Sequence, residues 1–136
     1  MTTPLHILLA EDDKDDSFFF DKAIKQVPFP IQLTAVEDGE KLMNLLDKNP
    51  RQLPDVIFLD LNMPRKTGNE CLKAIKKNPK LKHIPVVIYS TSLYKEVADV
   101  LFRIGAHYYL QKCIFSELPE ALHKILTTLK TQPARP

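Results

Sequence analysis

Glu11, Asp12 and Asp13 close one apolar run of this chain, and Asp60 closes another with Asn62 two residues on. Ser90, Thr91 and Ser92 follow a third run, and Lys112 follows a fourth. Carboxylates, hydroxyls and one ammonium are groups that handle hard cations and phosphate. Carboxylates brought close together repel, and burial raises the cost of keeping them ionised. A divalent ion relieves that cost, and Mg²⁺ prefers oxygen ligands while keeping several waters. A carboxylate beside such an ion, with a lysine at hand, is equipped to accept a phosphoryl group, whose equatorial oxygens need positive partners. The Ser90 hydroxyl can donate a hydrogen bond to the same group.

These residues meet only if the runs that carry them are neighbouring parallel strands. Leu5 to Ala10, Ile31 to Val36, Asp55 to Leu59, Val86 to Tyr89 and Tyr108 to Leu110 read as five strands. Most are apolar on both faces, as a parallel sheet covered by helices requires. Helical spacing of apolar residues fills the gaps over 17–27, 39–47, 69–78, 93–104 and 116–129. Thr67-Gly68-Asn69-Glu70 has capping-box spacing, and Gly105 stops the fourth helix. Strand and helix thus alternate five times, and ligands of such open sheets bind beyond the carboxyl ends of the strands. The acids, the hydroxyl and the lysine all fall there.

The chain has 136 residues, 44% hydrophobic and 26% charged, with a formal net charge of +2. Length and balance suit one globular domain over 1–136, with its core at about 5–130 and a frayed tail at 131–136. The charge is too small to argue for nucleic acid or a membrane surface. No apolar stretch approaches the roughly 20 residues of a membrane helix, and the N-terminus lacks a signal-peptide pattern. Cys71 and Cys113 form no CxxC pair and read as reduced thiols. A cytoplasmic location is the expectation.

Four segments together, LHILLAEDD, PDVIFLDLNMPRKTG, IPVVIYSTS and YYLQK, resemble the receiver domain of two-component response regulators over nearly the whole chain. The stretch from Met63 to Ser92 is most similar to small stand-alone regulators that accompany bacterial phytochromes and hybrid kinases. The resemblance implies a flavodoxin-like (βα)5 fold with strand order 2-1-3-4-5. It implies Asp60 as phosphoacceptor, Mg²⁺ bound directly by Asp12 and Asp60, through water by Glu11, and by the backbone carbonyl of Asn62. Ser90 and Lys112 would contact phosphoryl oxygens, and Ser90 and Tyr109 would form the switch. Met63, Pro64 and Gly68 belong to the loop after the acceptor. A sensor histidine kinase or phosphotransfer protein would stand upstream and an unknown protein target downstream. Phosphorylation would remodel the face of the fourth helix, fifth strand and fifth helix, for a partner or a homodimer. Self-phosphorylation and slow autodephosphorylation would be its only chemistry.

Plainer readings stand beside these. Acids are favoured at helix starts anyway, and Asp15 and Asp16 are read as helix-start residues, Asp13 as added negative charge. Ser92 reads as a helix cap. Lys73, Lys76, Lys77 and Lys80 share one helix face and read as solvated. His6, His83, His107 and His123 show no metal-pair spacing. Phe18, Phe19 and Phe20 spread over about 200° of helix surface at about 100° per residue, so at least one ring should be exposed. Such a ring is a candidate anchor for the kinase or phosphotransfer partner; lateral packing on the fifth helix is the alternative.

Two departures from the family pattern matter. Cys113 follows Lys112, where proline after a cis bond is usual, and a cis bond before a non-proline residue costs about 2.5–4 kcal/mol. Thr91 stands where a very small residue is frequent, and its bulk predicts a longer-lived phospho-Asp60 than in fast chemotaxis-type receivers. Three rival readings compete with this one. A haloacid-dehalogenase-type phosphatase wants an acid where Asn62 stands. A flavodoxin would not place Glu11, Asp12 and Asp13 against a flavin phosphate. A phosphorylation-independent pseudo-receiver that only binds partners is the remaining alternative.

Overall fold

A computed structural model describes residues 4–48, 50–91, 94–112 and 115–131. Strands β1 (Leu5–Ala10), β2 (Ile31–Val36), β3 (Val56–Leu59), β4 (Val86–Ser90) and β5 (Tyr108–Gln111) alternate with helices α1 (Lys14–Ile24), α2 (Gly39–Lys48), α3 (Gly68–Lys77), α4 (Lys95–Ile104) and α5 (Leu118–Thr131). A short 3₁₀ turn, Phe115–Glu117, leads into α5. The five strands form one parallel sheet in the order β2-β1-β3-β4-β5, the flavodoxin-like arrangement that the resemblance implies.

Successive strand residues point to opposite faces, and the core divides accordingly. Leu8, Ala10, Ile57, Leu59 and Ile88 pack with Leu42, Leu72, Ile75 and Leu101, which come from α2, α3 and α4. Ile7, Leu9, Phe58, Val87 and Tyr89 pack with Phe20, Ala23, Leu118, Leu122 and Leu126, which come from α1 and α5. Phe20 meets Phe58 and Tyr89 edge-on, with ring centroids 5.1 and 5.6 Å away. Burying side chains of this size stabilises the fold by about 1.5–3 kcal/mol each. β2 lies at one edge and is only half covered, which accounts for its more alternating sequence.

The helix boundaries follow their caps. α1 begins three residues earlier than the sequence suggests, because the Asp13 Oδ1 accepts the backbone N–H groups of Asp15 and Asp16 at 2.9 and 3.0 Å. Asp13 is thus the α1 cap as well as a charge. The capping box at α3 is present: Thr67 Oγ1 accepts the Glu70 N–H, and Glu70 Oε1 accepts the Thr67 N–H. α4 starts after Tyr94, which makes no side-chain cap; Ser92, expected to cap it, lies outside the described residues, as does Cys113 with its peptide bond to Lys112. Gly105 ends α4 at a φ of 134°, a conformation costly for any residue with a Cβ.

The α3 lysines do not form a uniformly solvated face. The Lys76 ammonium donates to the carbonyls of Lys82 and Ile84 at 2.9 and 2.8 Å. Half-buried, it closes the turn that follows α3.

Candidate functional site

Backbone register assembles the acidic site. Ala10 pairs with Leu59, so β1 and β3 end level with each other. The ladder runs one residue further: the Asp60 N–H donates to the Ala10 carbonyl at 3.0 Å, and the Glu11 N–H to the Val36 carbonyl at 3.0 Å. Glu11 and Asp60 therefore leave adjacent strands at the same height. On the far side, Ser90 pairs with Gln111, and the Lys112 N–H donates to the Ser90 carbonyl at 2.7 Å. Close packing fixes the loop after β3. A Cβ on Gly68 would run into the Asp60 carbonyl, and the Gly68 N–H donates to the Leu61 carbonyl at 3.1 Å.

The side chains converge as the spacing implies. Carboxylate oxygens of Glu11, Asp12 and Asp60 all lie within 4.8 Å of one another. Glu11 and Asp60 are buried, and Asp12 is exposed. The Lys112 ammonium sits 2.6 Å from Glu11 Oε1, 2.8 Å from Asp16 Oδ2 and 3.5 Å from Asp60 Oδ2. It also lies 5.3 Å from the centre of the Tyr89 ring. An open cavity of about 590 Å³ fronts the cluster, lined by Glu11, Asp12, Asp60, Asn62, Thr91 and Lys112 among others. The Asn62 N–H donates to Asp60 Oδ1 at 3.3 Å, which ties the loop backbone to the acceptor.

Charge balance in this cluster is lopsided. Burial pushes the Glu11 carboxyl from 4.5 up to about 7; Lys112 pulls it down, and Asp60 adds to the rise. For Lys112, burial works against the charge, but the hydrogen bond it donates to Asp16, the contact with Glu11 and the charge of Asp60 outweigh it, so its pKa lies above the ordinary lysine range. The lysine stays charged while the buried glutamate resists ionising. Such excess negative charge calls for a further cation. Glu11 Oε2 accepts the Asp13 N–H at 3.1 Å, whereas Oε1 is buried against the Lys112 ammonium at 2.6 Å. Three carboxylates with one ammonium beside them, opening on a polar cavity, fit a hard divalent ion.

Residues 7–126 match the response regulator receiver domain. The chain belongs to that family. Response regulator Rcp1 of Synechocystis sp. (strain ATCC 27184 / PCC 6803 / Kazusa) is 37% identical over 115 residues, spanning 80% of this chain and 77% of that protein. The phosphorylated cyanobacterial phytochrome response regulator RcpA superposes with a TM-score of 0.86 at 31% identity, covering 95% of this chain and 96% of that one. The Mn²⁺-bound form of Rcp1 superposes with a TM-score of 0.84 at 32% identity, covering 98% and 100%. This receiver is thus similar to phytochrome response regulators, a resemblance already carried by the segment from Met63 to Ser92. It is a two-component response regulator receiver with an acidic site suited to Mg²⁺. Among the described residues no helix is long and apolar enough to cross a membrane.

The remaining site residues fall as follows. Ser90 is buried and does not line the cavity; Thr91 does. Tyr109 is half-buried, and its hydroxyl donates to the Ser90 carbonyl at a long 3.4 Å; burial raises its pKa. Phe18 and Phe19 are 53% and 40% exposed, whereas Phe20 is wholly buried. Phe20 is therefore core and drops out as a docking residue, because its ring fills the space over Phe58 and Tyr89.

Two features escaped sequence reasoning. Asp16, read as a helix-start acid, hydrogen-bonds Lys112 across 96 positions of chain. Asp38 is buried, accepts the Lys41 N–H at 2.8 Å at the start of α2, and lies 3.5 Å from the guanidinium of Arg65. Arg65 has a φ of 69°, a conformation L-residues adopt at a cost. Local spacing carries a signal for the Asp38 cap and none for either long-range ion pair.

Proposed function

We propose that this receiver accepts a phosphoryl group onto Asp60 from a phosphohistidine of a sensor histidine kinase or phosphotransfer protein. The observation that supports it best is a buried carboxylate at the end of β3, grouped with two further carboxylates and 3.5 Å from an ammonium. An Asp60 oxygen bonds to phosphorus while the bond from phosphorus to the imidazole nitrogen breaks in line. The imidazole keeps the electron pair and takes up a proton from solvent. Lys112, already charged, neutralises phosphoryl oxygens. Asp12, Asp60 and the Asn62 carbonyl would hold Mg²⁺, with Glu11 acting through water. The ion, when bound, adds the positive charge that the transferring oxygens require. That Rcp1 has been seen with Mn²⁺ and RcpA phosphorylated supports carrying both properties to this chain.

In this reading the phosphate draws Ser90 and its loop inward, and Tyr109 follows. The face of α4, β5 and α5 then shifts between two populations. Tyr94, Val97, Val100 and Phe102 are large apolar side chains left exposed in and beside α4, which suits a partner or a second copy there. Phe18 and Phe19 on α1 are the candidate contacts for the upstream protein. Residues of about 5–130 would act as one receiver unit, turning over no other substrate. The buried, free Cys71 thiol is in keeping with a cytoplasmic setting.

Acetyl phosphate with Mg²⁺, followed by intact mass, tests the chemistry. Wild type should gain one phosphoryl group and Asp60→Asn none. Partner binding by wild type that never gains phosphate would favour the pseudo-receiver instead.

A further inference from the structure

The Lys112 ammonium is surrounded by three carboxylates, and the three are not equivalent. The contact with Asp16 is an oriented hydrogen bond at 2.8 Å. Glu11 Oε1 is closer, at 2.6 Å, and buried. Asp60 stands off at 3.5 Å. Asp16 is also placed differently. It projects from the first turn of α1, its backbone N–H held by Asp13 Oδ1 at 3.0 Å, and it lies outside the Glu11, Asp12 and Asp60 group. Asp16 is thus an anion held on α1 beside the lysine, lining the same cavity but outside the carboxylate group proposed for the cation.

An ammonium and a divalent ion compete for the same carboxylates. If Lys112 closed on Asp60 as well as Glu11, it would neutralise the cluster that the cation needs. We propose that Asp16 is a positioning residue, which draws the Lys112 ammonium toward α1 and away from Asp60 and so leaves Asp60, with Asp12, able to take a divalent cation. The inference deepens the proposed function and rests on its reading of the acidic group as the metal site. It also gives Lys112 a resting place from which it can move to a phosphoryl group arriving on Asp60. Asp15, on the same helical turn, lines the same cavity and is not among the carboxylates paired with Lys112; it is the natural control for charge alone.

The test is Mn²⁺ affinity, read from the electron paramagnetic resonance signal of the free ion, on the full chain. Asp16→Asn should weaken binding about tenfold, the scale of a lost hydrogen bond to a charged group. Asp15→Asn, an exposed charge without that contact, should weaken it about twofold. Lys112→Met should tighten Mn²⁺ binding by removing the competitor. In that background Asp16→Asn should fall to the effect of Asp15→Asn, since no ammonium remains to redirect. Asp16→Glu should recover most of the wild-type affinity. Equal effects of Asp16→Asn and Asp15→Asn, or an Asp16→Asn effect undiminished beside Lys112→Met, overturn the inference alone. Wild type that binds no Mn²⁺ at all overturns the metal-site reading and the inference together.

Discussion

Replacing Glu11 by glutamine should stabilise the cation-free protein near neutral and alkaline pH and do little in acid. The Glu11 carboxyl is lifted from 4.5 to about 7, first by burial, with Lys112 opposing and Asp60 adding. That rise, from 4.5 to about 7 at about 1.4 kcal/mol for each tenfold change in proton affinity, comes to about 3.5 kcal/mol. The folded value lies above the unfolded one, so the folded state binds more protons between the two. Glu11's share of stability is therefore complete below 4.5 and lost as pH climbs through about 7. The Lys112 contact at 2.6 Å is already contained in that rise; an amide replaces a neutral carboxyl imperfectly beside an ammonium, and that takes back part of the gain. A net stabilisation of about 1–2 kcal/mol is expected near pH 8. Urea titrations in a chelator, near pH 4 and near pH 8, read it directly. Added Mg²⁺ should then stabilise wild type by mass action and the variant less. The reasoning fails if Glu11→Gln is no more stable than wild type near pH 8, or if the gain is as large near pH 4.

Three further outcomes follow from particular contacts. Phe18→Ala and Phe19→Ala should slow phosphotransfer from the upstream protein yet leave acetyl phosphate labelling unchanged, with stability shifts within about 0.5 kcal/mol; slowing with both donors would remove the docking role. Phe20→Ala should cost about 3–5 kcal/mol in denaturant titration, because its ring fills the core between α1 and the sheet. Thr91→Gly should open the cavity mouth that Thr91 lines and shorten the phospho-Asp60 lifetime, followed by intact mass after donor removal; an unchanged or longer lifetime contradicts the steric argument.

Much of the site was legible because it depends on position along strands. In a parallel sheet, any residue just past a strand's carboxyl end falls on one edge. Glu11, Asp60 and Lys112 could thus be grouped without coordinates. Phe18, Phe19 and Phe20 show the same legibility for a helix: at about 100° per residue three adjacent rings spread beyond one buried stripe, and Phe18 and Phe19 are indeed exposed. Angular spacing does not say which ring faces inward. That was settled by the space over Phe58 and Tyr89, which Phe20 fills.

Local periodicity and residue type were enough for the alternation of strands and helices and for the acidic edge with its chemistry. The tertiary structure decided how one ammonium is shared among Glu11, Asp16 and Asp60, and that Lys76 seals a turn. It also decided that Arg65 reaches Asp38. Each of these is a contact between groups far apart in the chain or across a loop. Their energies depend on distances of a few ångströms, to which periodicity is blind, because Coulomb attraction and hydrogen bonding act through space and not along the backbone.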